Sequence, residues 1–188
     1  IHQHFTLVPV HTVVENVMLG LDGPYDPERV AEEIKALGKR YGLEVDPYAT
    51  VRLLPVGMQQ RVEILKALIR KARILIMDEP TAVLTPQETD RLFDFIREFR
   101  AGGNSVIFIT HKLNEVMSIA DRITVLRAGR TVGSIPKLEA SETTLARMMV
   151  GRDLELTTGH PAKNVGDVVL DVDNISVVSS RGNRVIDG

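Results

Sequence analysis

Short apolar runs alternate with amphipathic helical segments over residues 72–120, and this alternation constrains the fold more than any other feature. Residues 74–77 are all apolar, as in a parallel strand that is covered on both faces. A capping box, Thr85-Pro86-Gln87-Glu88, then opens a helical pattern, and Ser105–Ile109 is a second apolar run. This order predicts an α/β chain with a parallel sheet that is buried on both faces.

The flanking segments carry clear start and stop signals. Before residue 72, the pattern predicts helices over 12–20, 26–42 and 59–71, with Thr12 as the first cap and Asp26-Pro27 opening the second helix. After residue 110, it predicts a helix from Lys112, a hairpin around Ala128-Gly129 and a helix capped by Ser141 that ends at Gly151. Residues 152–166 are polar and predict a linker, and strands are predicted over 168–172 and 175–178.

Composition excludes several classes of function. The 188 residues carry 23 basic and 25 acidic side chains, so no basic field indicates nucleic acid, and an aromatic content of 4% argues against stacking platforms for single strands. The chain has no cysteine, which excludes disulfides, zinc–thiolate sites and cysteine nucleophiles. No apolar run is long enough to span a bilayer, and the first residues lack the pattern of a signal peptide.

The first candidate site follows the first strand. Asp78 and Glu79 place two carboxylates at the carboxyl end of a predicted parallel strand, where such folds bind ligands. Asp78 could hold Mg²⁺, and Glu79 could orient or deprotonate an attacking water. The alternative interpretation is a strand followed by an acidic turn.

Three further segments are candidates. The second strand ends in Thr110-His111, so His111 should lie at the same rim as Glu79, although a helix-capping Thr110 beside a solvated histidine remains the alternative. Gly57 precedes a predicted helix start, where backbone N–H groups can receive an anion, or where an ordinary loop joins a helix. Gln3 could be a polar ligand at a sheet edge. It lies between His2 and His4, whose opposite orientations on a strand make a shared metal ion unexpected.

Five sequence motifs in order resemble those of the ATP-binding-cassette (ABC) transporter ATPases. Gln3 is similar to the Q-loop glutamine, and Leu-Pro-Val-Gly-Met at 54–58 is similar to the signature motif. Ile-Leu-Ile-Met-Asp-Glu-Pro-Thr at 74–81 resembles Walker B, residues 82–85 the D-loop, and His111 the switch histidine. The resemblance covers residues 1–151 and implies a P-loop NTPase-like cassette, with a helical subdomain at about 10–71 and a catalytic core at about 72–151.

The resemblance implies roles for these residues. Glu79, His111 and Gln3 would be catalytic, and Asp78 and Gln3 would hold Mg²⁺. Pro55, Val56, Gly57, Met58 and Thr85 would contact ATP bound to a second cassette. Pro55 replaces the usual serine of the signature, Met58 replaces its glutamine or glutamate, and Thr85 replaces the aspartate that ends the D-loop. The two signature changes are expected to weaken phosphate capture without abolishing it, whereas Thr85 keeps the helix cap of the D-loop residue that it replaces.

The sequence contains no Gly-x-x-x-x-Gly-Lys-Ser/Thr motif. The Gly38-Lys39 pair is followed by Arg40 and has no glycine at position 33. We therefore expect an incomplete cassette, an internal fragment that is not hydrolytic by itself, with residues 167–188 as the opening strands of a second cassette.

Two further segments, Asp-Arg-Ile-Thr-Val-Leu-Arg-Ala-Gly at 121–129 and Met-Met-Val-Gly-Arg-Asp at 148–153, resemble sequences of importers of simple sugars or nucleosides. In that class, one polypeptide carries two cassettes. This class implies permease subunits that contact the region of residues 5–20, an indirectly engaged periplasmic or lipoprotein substrate-binding protein, and a peripheral location on the cytoplasmic face of the membrane. The alternatives are a soluble, non-transport ABC ATPase and a non-catalytic scaffold module. The compact span between Gln3 and the signature, without heptads, favours the importer.

Overall fold

The computed structural model describes residues 1, 6–151, 170–171, 173–178 and 184–187. Contacts divide the chain into two units, residues 1–154 and 155–188. The helices and strands of the first unit, in chain order, are α1 (Val13–Met18), α2 (Pro27–Tyr41), α3 (Val56–Ile69), β1 (Ile74–Asp78), α4 (Pro86–Ala101), β2 (Ser105–Ile109), α5 (Leu113–Ile119), β3 (Arg122–Arg127), β4 (Arg130–Pro136) and α6 (Glu142–Val150). Two short 3₁₀ turns, Val51–Leu53 and Lys137–Glu139, also occur.

The predicted caps define most helix ends. Thr12 and Thr85 each form a complete capping box, with Glu15 and Glu88 respectively. The side chain of Asp26 caps α2, which ends at Gly42 in the left-handed region, and Ser141 caps α6. These boundaries confirm the sequence prediction.

The helix α3 begins three residues earlier than predicted. The carbonyl of Pro55 accepts hydrogen bonds from the backbone N–H groups of Met58 and Gln59, both at 3.0 Å, so Pro55 occupies the N-cap position. Gly57 therefore lies in the first turn of α3 rather than in the loop before it. Its N–H remains among those that the helix itself leaves unpaired.

The strands β1 and β2 pair in parallel, with Asp78 opposite Ile109, as the strand–helix–strand order predicts. The prediction of a sheet that is buried on both faces is wrong for the described residues. Leu75 and Met77 face the core, whereas Ile74 and Ile76 on the other face are exposed. An unbroken apolar run hides the two-residue alternation of the strand, so the sequence could not distinguish one covered face from two.

One apolar core joins the first three helices to α4 and β1. Val13 and Val17 of α1 are fully buried in it, together with Ile34 of α2. On α4, Phe95 stacks on Phe99 with ring centroids 5.6 Å apart and meets the edge of Tyr41 at 5.5 Å. This aromatic contact joins α2 to the helix that follows β1.

A second, smaller core lies beneath the antiparallel hairpin of β3 and β4. Ile123, Val125 and Leu145 are buried there, and α5 and α6 pack against them. The hairpin, the helix from Lys112 and the helix after Ser141 were all predicted, and all three are confirmed.

The second unit contains an antiparallel pair of strands, β5 (Ser176–Val178) and β6 (Arg184–Asp187). The first of these confirms the strand predicted over 175–178, whereas β6 was not predicted. The proposed linker at 152–166 and most of the strand predicted over 168–172 lie outside the described residues.

Candidate functional site

The carboxyl end of β1 turns sharply at Glu79. This residue has a positive φ of 47°, in the left-handed region that a glutamate rarely adopts. Its backbone N–H donates to the carbonyl of Ile109 at the end of β2, at 2.9 Å. The turn therefore directs the Glu79 side chain away from the strand while its backbone stays attached to the sheet. Such conformations persist where the surroundings hold them and are common at functional sites.

Glu79 and His111 are in direct contact. The Nδ1 atom of His111 lies 2.7 Å from Oε1 of Glu79. The glutamate side chain is 20% exposed and the imidazole 72% exposed, so the pair lies at the surface with its carboxylate recessed. The expectation that the two residues share one rim of the sheet is confirmed. The alternative that Thr110 caps the next helix is wrong, because Lys112 occupies the N-cap of α5 and no side chain caps that helix. The hydroxyl of Thr110 instead accepts from the N–H of Lys112 at 3.1 Å.

The second carboxylate oxygen of Glu79 is the unpartnered polar atom of the site. Oε2 is buried and has no hydrogen-bond partner among the described residues. A buried oxygen without a donor is unfavourable unless another molecule supplies a hydrogen bond. One oxygen thus contacts the imidazole while the other lacks a donor, and a carboxylate with unused acceptor capacity suits a general base.

Asp78 precedes this turn as the last residue of β1, with an exposed side chain. The described residues contain no group of three or more acidic or histidine side chains that could hold a metal ion by themselves. One free carboxylate nevertheless fits Mg²⁺, which protein sites commonly bind through one or two carboxylates together with substrate phosphates and water. Asp78 is therefore suited to Mg²⁺ only when a phosphate compound is bound beside it.

The candidate residues 55–58 lie at the N-terminus of α3, and Thr85 lies at the N-terminus of α4. Glu88 joins the two positions, because its carboxylate accepts from the N–H and hydroxyl of Thr85 at 2.9 and 3.0 Å and lies against Gly57. A Cβ atom at Gly57 would overlap that carboxylate and would lie 2.8 Å from its Cδ. The bonds from Thr85 lower the pKa of Glu88, and the positive charges of Arg61 and Arg91 lower it further.

Within the described part of the chain, the structure records no hydrogen bond or ion pair between the Gly57–Glu88 group and the Glu79–His111 pair. The candidate residues thus form two separate groups. Gln3 lies outside the described residues, so its predicted place beside these groups stays a prediction. Ile1 is hydrogen-bonded to β1, since its amino group donates to the carbonyl of Ile76 at 2.7 Å.

Four buried or half-buried polar residues make hydrogen bonds close to the Glu79–His111 pair, and the sequence analysis did not identify them as part of the site. Gln60 on α3 donates from Nε2 to the carbonyl of Pro80 at 2.9 Å, directly after Glu79. Thr81, Lys112 and Glu115 form a hydrogen-bonded cluster behind the pair. A polar residue on an amphipathic helix carries no local signal that it faces inward, so only long-range packing reveals these contacts.

The contact between Gly57 and Glu88 makes a stability prediction. Alanine favours a helix over glycine by about 1 kcal/mol, but Gly57→Ala would displace Glu88 and break the capping box of α4, at a cost of about 1–3 kcal/mol. We expect Gly57→Ala to lower the thermal unfolding midpoint of the protein. In a Glu88→Ala background, the same change should be neutral or stabilising. Equal effects in both backgrounds would show that Glu88 is not the cause.

The sequence matches the family described as ABC transporter over residues 1–82. It is 43% identical over 192 residues to the nucleoside import ATP-binding protein NupA of Lactococcus lactis, covering all of this chain and 38% of that protein. It is 43% identical to the glucose import ATP-binding protein TsgD13 of Haloferax volcanii, over 97% of this chain and 39% of the relative. The ribose import ATP-binding protein RbsA 3 of Rubrobacter xylanophilus is 42% identical, again over the whole chain and 38% of the relative.

The fold agrees with these matches. A dimeric bacterial ABC transporter cassette, MJ0796, superimposes with a TM-score of 0.63 at 26% identity, over 73% of this chain and 61% of that one. The chain therefore belongs to the family of ABC transporter ATPases, and its fold is a partial α/β cassette. It spans less than two fifths of the length of the curated relatives named above.

No helix in the described part of the chain combines the length and the apolar character that crossing a bilayer requires.

Proposed function

We propose that this chain is part of a longer ATPase subunit of an ABC importer, which couples Mg-ATP hydrolysis to the uptake of a simple sugar or nucleoside. The observation that carries the catalytic half of the proposal is the Glu79–His111 pair, in which one carboxylate oxygen has no hydrogen-bond partner among the described residues. The import half is supported by relatives that are named for importing nucleosides, glucose and ribose.

In the proposed reaction, Glu79 is the general base. Its carboxylate accepts a proton from a water whose oxygen attacks the γ-phosphorus of ATP, the bond between the γ-phosphorus and the bridging oxygen breaks, and ADP leaves with that oxygen. His111 contacts Oε1, and its exposed edge would contact the phosphate. Asp78 would hold Mg²⁺, which neutralises phosphate charge when bound. Gln3 is proposed as a further contact to the water and the ion.

The phosphate cradle must come from elsewhere in the longer protein. The 188 residues contain no P-loop motif, and their one Gly-Lys pair, Gly38-Lys39, lies inside α2 rather than in a loop before a helix. The described residues thus fit the catalytic end of an ATP site but not the site of its phosphates. We infer that the isolated chain does not hydrolyse ATP.

A second cassette completes the proposed assembly. Residues 55–58 and Thr85 would close over ATP that the second cassette holds, with the first turn of α3 offering backbone N–H groups to the γ-phosphate. The dimeric form of the MJ0796 cassette supports this arrangement. We propose that residues 152–166 link the first cassette to a second one, which begins within 167–188.

The proposed location is the cytoplasmic face of the membrane, with permease subunits against the region of residues 5–20 and a substrate-binding protein engaged through the permease. The test is to purify the full-length protein, tagged, from membranes in mild detergent and to measure Mg-ATP turnover. We expect permease subunits to accompany the protein and ATP to be hydrolysed. A full-length protein that stays soluble, with turnover but no membrane partner, would instead support a non-transport ABC ATPase, and absence of turnover would indicate a scaffold.

A further inference from the structure

The carboxylate of Glu115 is buried behind the Glu79–His111 pair. This residue lies in the first turn of α5 and is 4% exposed. A buried carboxylate is costly unless its oxygens receive hydrogen bonds and its charge is balanced. The contacts around Glu115 meet both needs.

Each oxygen of Glu115 binds a threonine from a different loop. Oε1 accepts from the hydroxyl of Thr81 at 2.6 Å, and Oε2 accepts from the hydroxyl of Thr110 at 3.0 Å. Thr81 follows Glu79 by two residues along the turn after β1. Thr110 directly precedes His111 at the end of β2. One carboxylate therefore bridges the two loops that carry the candidate catalytic pair.

Lys112 balances the charge and adds a third connection. Its Nζ lies 3.1 Å from Oε1 of Glu115, and it donates to both the carbonyl and the hydroxyl oxygen of Thr81, each at 3.2 Å. The hydroxyl of Thr81 thus donates to the carboxylate and accepts from the ammonium. All four side chains hold one another in a single arrangement, as fully satisfied polar networks do.

We propose that Glu115, with Thr81, Thr110 and Lys112, is a positioning clamp that sets the separation of Glu79 and His111. The contact between those two residues is the only hydrogen bond from the imidazole recorded within the described residues, and the imidazole is otherwise exposed. The position of the imidazole is therefore set by its backbone, which the clamp attaches to the Glu79 turn. Misplacement of a catalytic group by even about 1 Å can reduce rates a hundredfold.

The role of the clamp rests on the proposed function, and its test separates the two. In the full-length protein, Thr110→Val and Glu115→Gln each remove hydrogen bonds at nearly constant volume. We expect kcat for ATP to fall about ten- to hundredfold, the range typical when hydrogen-bonding partners of metal-site ligands are removed, with KM changed less than about twofold. Thr110→Ser keeps the hydroxyl and should restore kcat to within about twofold of the wild type.

Thr124→Val is the matched control, because Thr124 makes a hydroxyl hydrogen bond to Ser134 in the β3–β4 hairpin. It should leave kcat unchanged. The clamp is overturned if Thr110→Val and Glu115→Gln keep wild-type kcat, if KM rises as far as kcat falls, or if Thr110→Ser is as slow as Thr110→Val.

Hydrogen exchange gives a readout that does not depend on turnover. In Thr110→Val, amides of the segments 79–82 and 110–112 should exchange about tenfold faster or more, and Thr124→Val should leave them unchanged. If the wild-type protein hydrolyses no ATP, the proposed function fails and exchange alone decides the clamp. Unchanged exchange in Thr110→Val would then contradict it.

Discussion

Replacement of Glu79 by glutamine should abolish most ATP turnover by the full-length protein while leaving ATP binding intact. Glutamine keeps the size of the side chain and can still contact His111, but its amide cannot accept the proton of an attacking water. General bases contribute about a hundredfold to ten-thousandfold, so we expect a loss of at least about a hundredfold. Nucleotide binding by equilibrium titration and turnover by phosphate release measure the two quantities separately.

Glu139→Gln is the matched control for this substitution. Glu139 is an exposed glutamate in the 3₁₀ turn Lys137–Glu139, away from β1 and β2, so its replacement should leave turnover unchanged. A Glu79→Gln protein that retains more than half of the wild-type rate would show that another group, or another site, performs the reaction.

The largest stability loss is expected from Phe95→Ala. This side chain is 1% exposed and lies between the rings of Tyr41 and Phe99. Removal of a buried phenylalanine ring typically costs about 3–5 kcal/mol, because the neighbouring side chains fill only part of the cavity. For a chain of this size, we expect the thermal unfolding midpoint to fall by about 10 °C or more.

Tyr25→Ala is the control for the loss of an aromatic ring. Tyr25 is 74% exposed in the segment before α2, so its removal should change the free energy of unfolding by less than about 0.5 kcal/mol. Phe95→Leu keeps part of the buried volume and should be intermediate. Equal unfolding midpoints for Phe95→Ala and Tyr25→Ala would contradict the description of this core.

Local signals account for the parts of the fold that the sequence predicted well. Thr12, Thr85 and Ser141 cap helices because their hydroxyls bind backbone N–H groups within the same turn, and such contacts depend only on nearby residues. The hairpin at Ala128-Gly129 has the same local origin. The exposed face of β1 was not predictable, because coverage of a strand depends on which elements pack against it.

In the candidate site, too, local signals were predictable from the sequence and long-range contacts were not. Placement of Glu79 and His111 at one rim followed from the parallel order of two strands, and the structure confirms it, whereas their direct contact was not predicted. The inward orientation of Gln60 and Glu115 depends on residues 20 and 34 positions away in sequence. No spacing rule identifies such partners, and a glutamate on a short helix is more often exposed.

Glu88 makes both a local contact that the sequence predicted and a long-range contact that it did not. Its capping role was evident from the spacing to Thr85, but its contact with Gly57 joins two helices and needed the structure. A side chain at Gly57 would have to displace the Glu88 carboxylate, and this steric reason for a glycine is separate from any contact with phosphate.

The central claim is that Glu79 and His111 act as one catalytic unit, and a double-mutant cycle tests it most directly. The measurement is the rate of phosphate release at saturating Mg-ATP by the full-length protein, its Glu79→Gln and His111→Ala variants, and the variant with both changes. Because the two side chains are in contact, we predict that the double variant is no slower than the slower single variant. If the two losses multiply, the residues act independently and the claim is wrong.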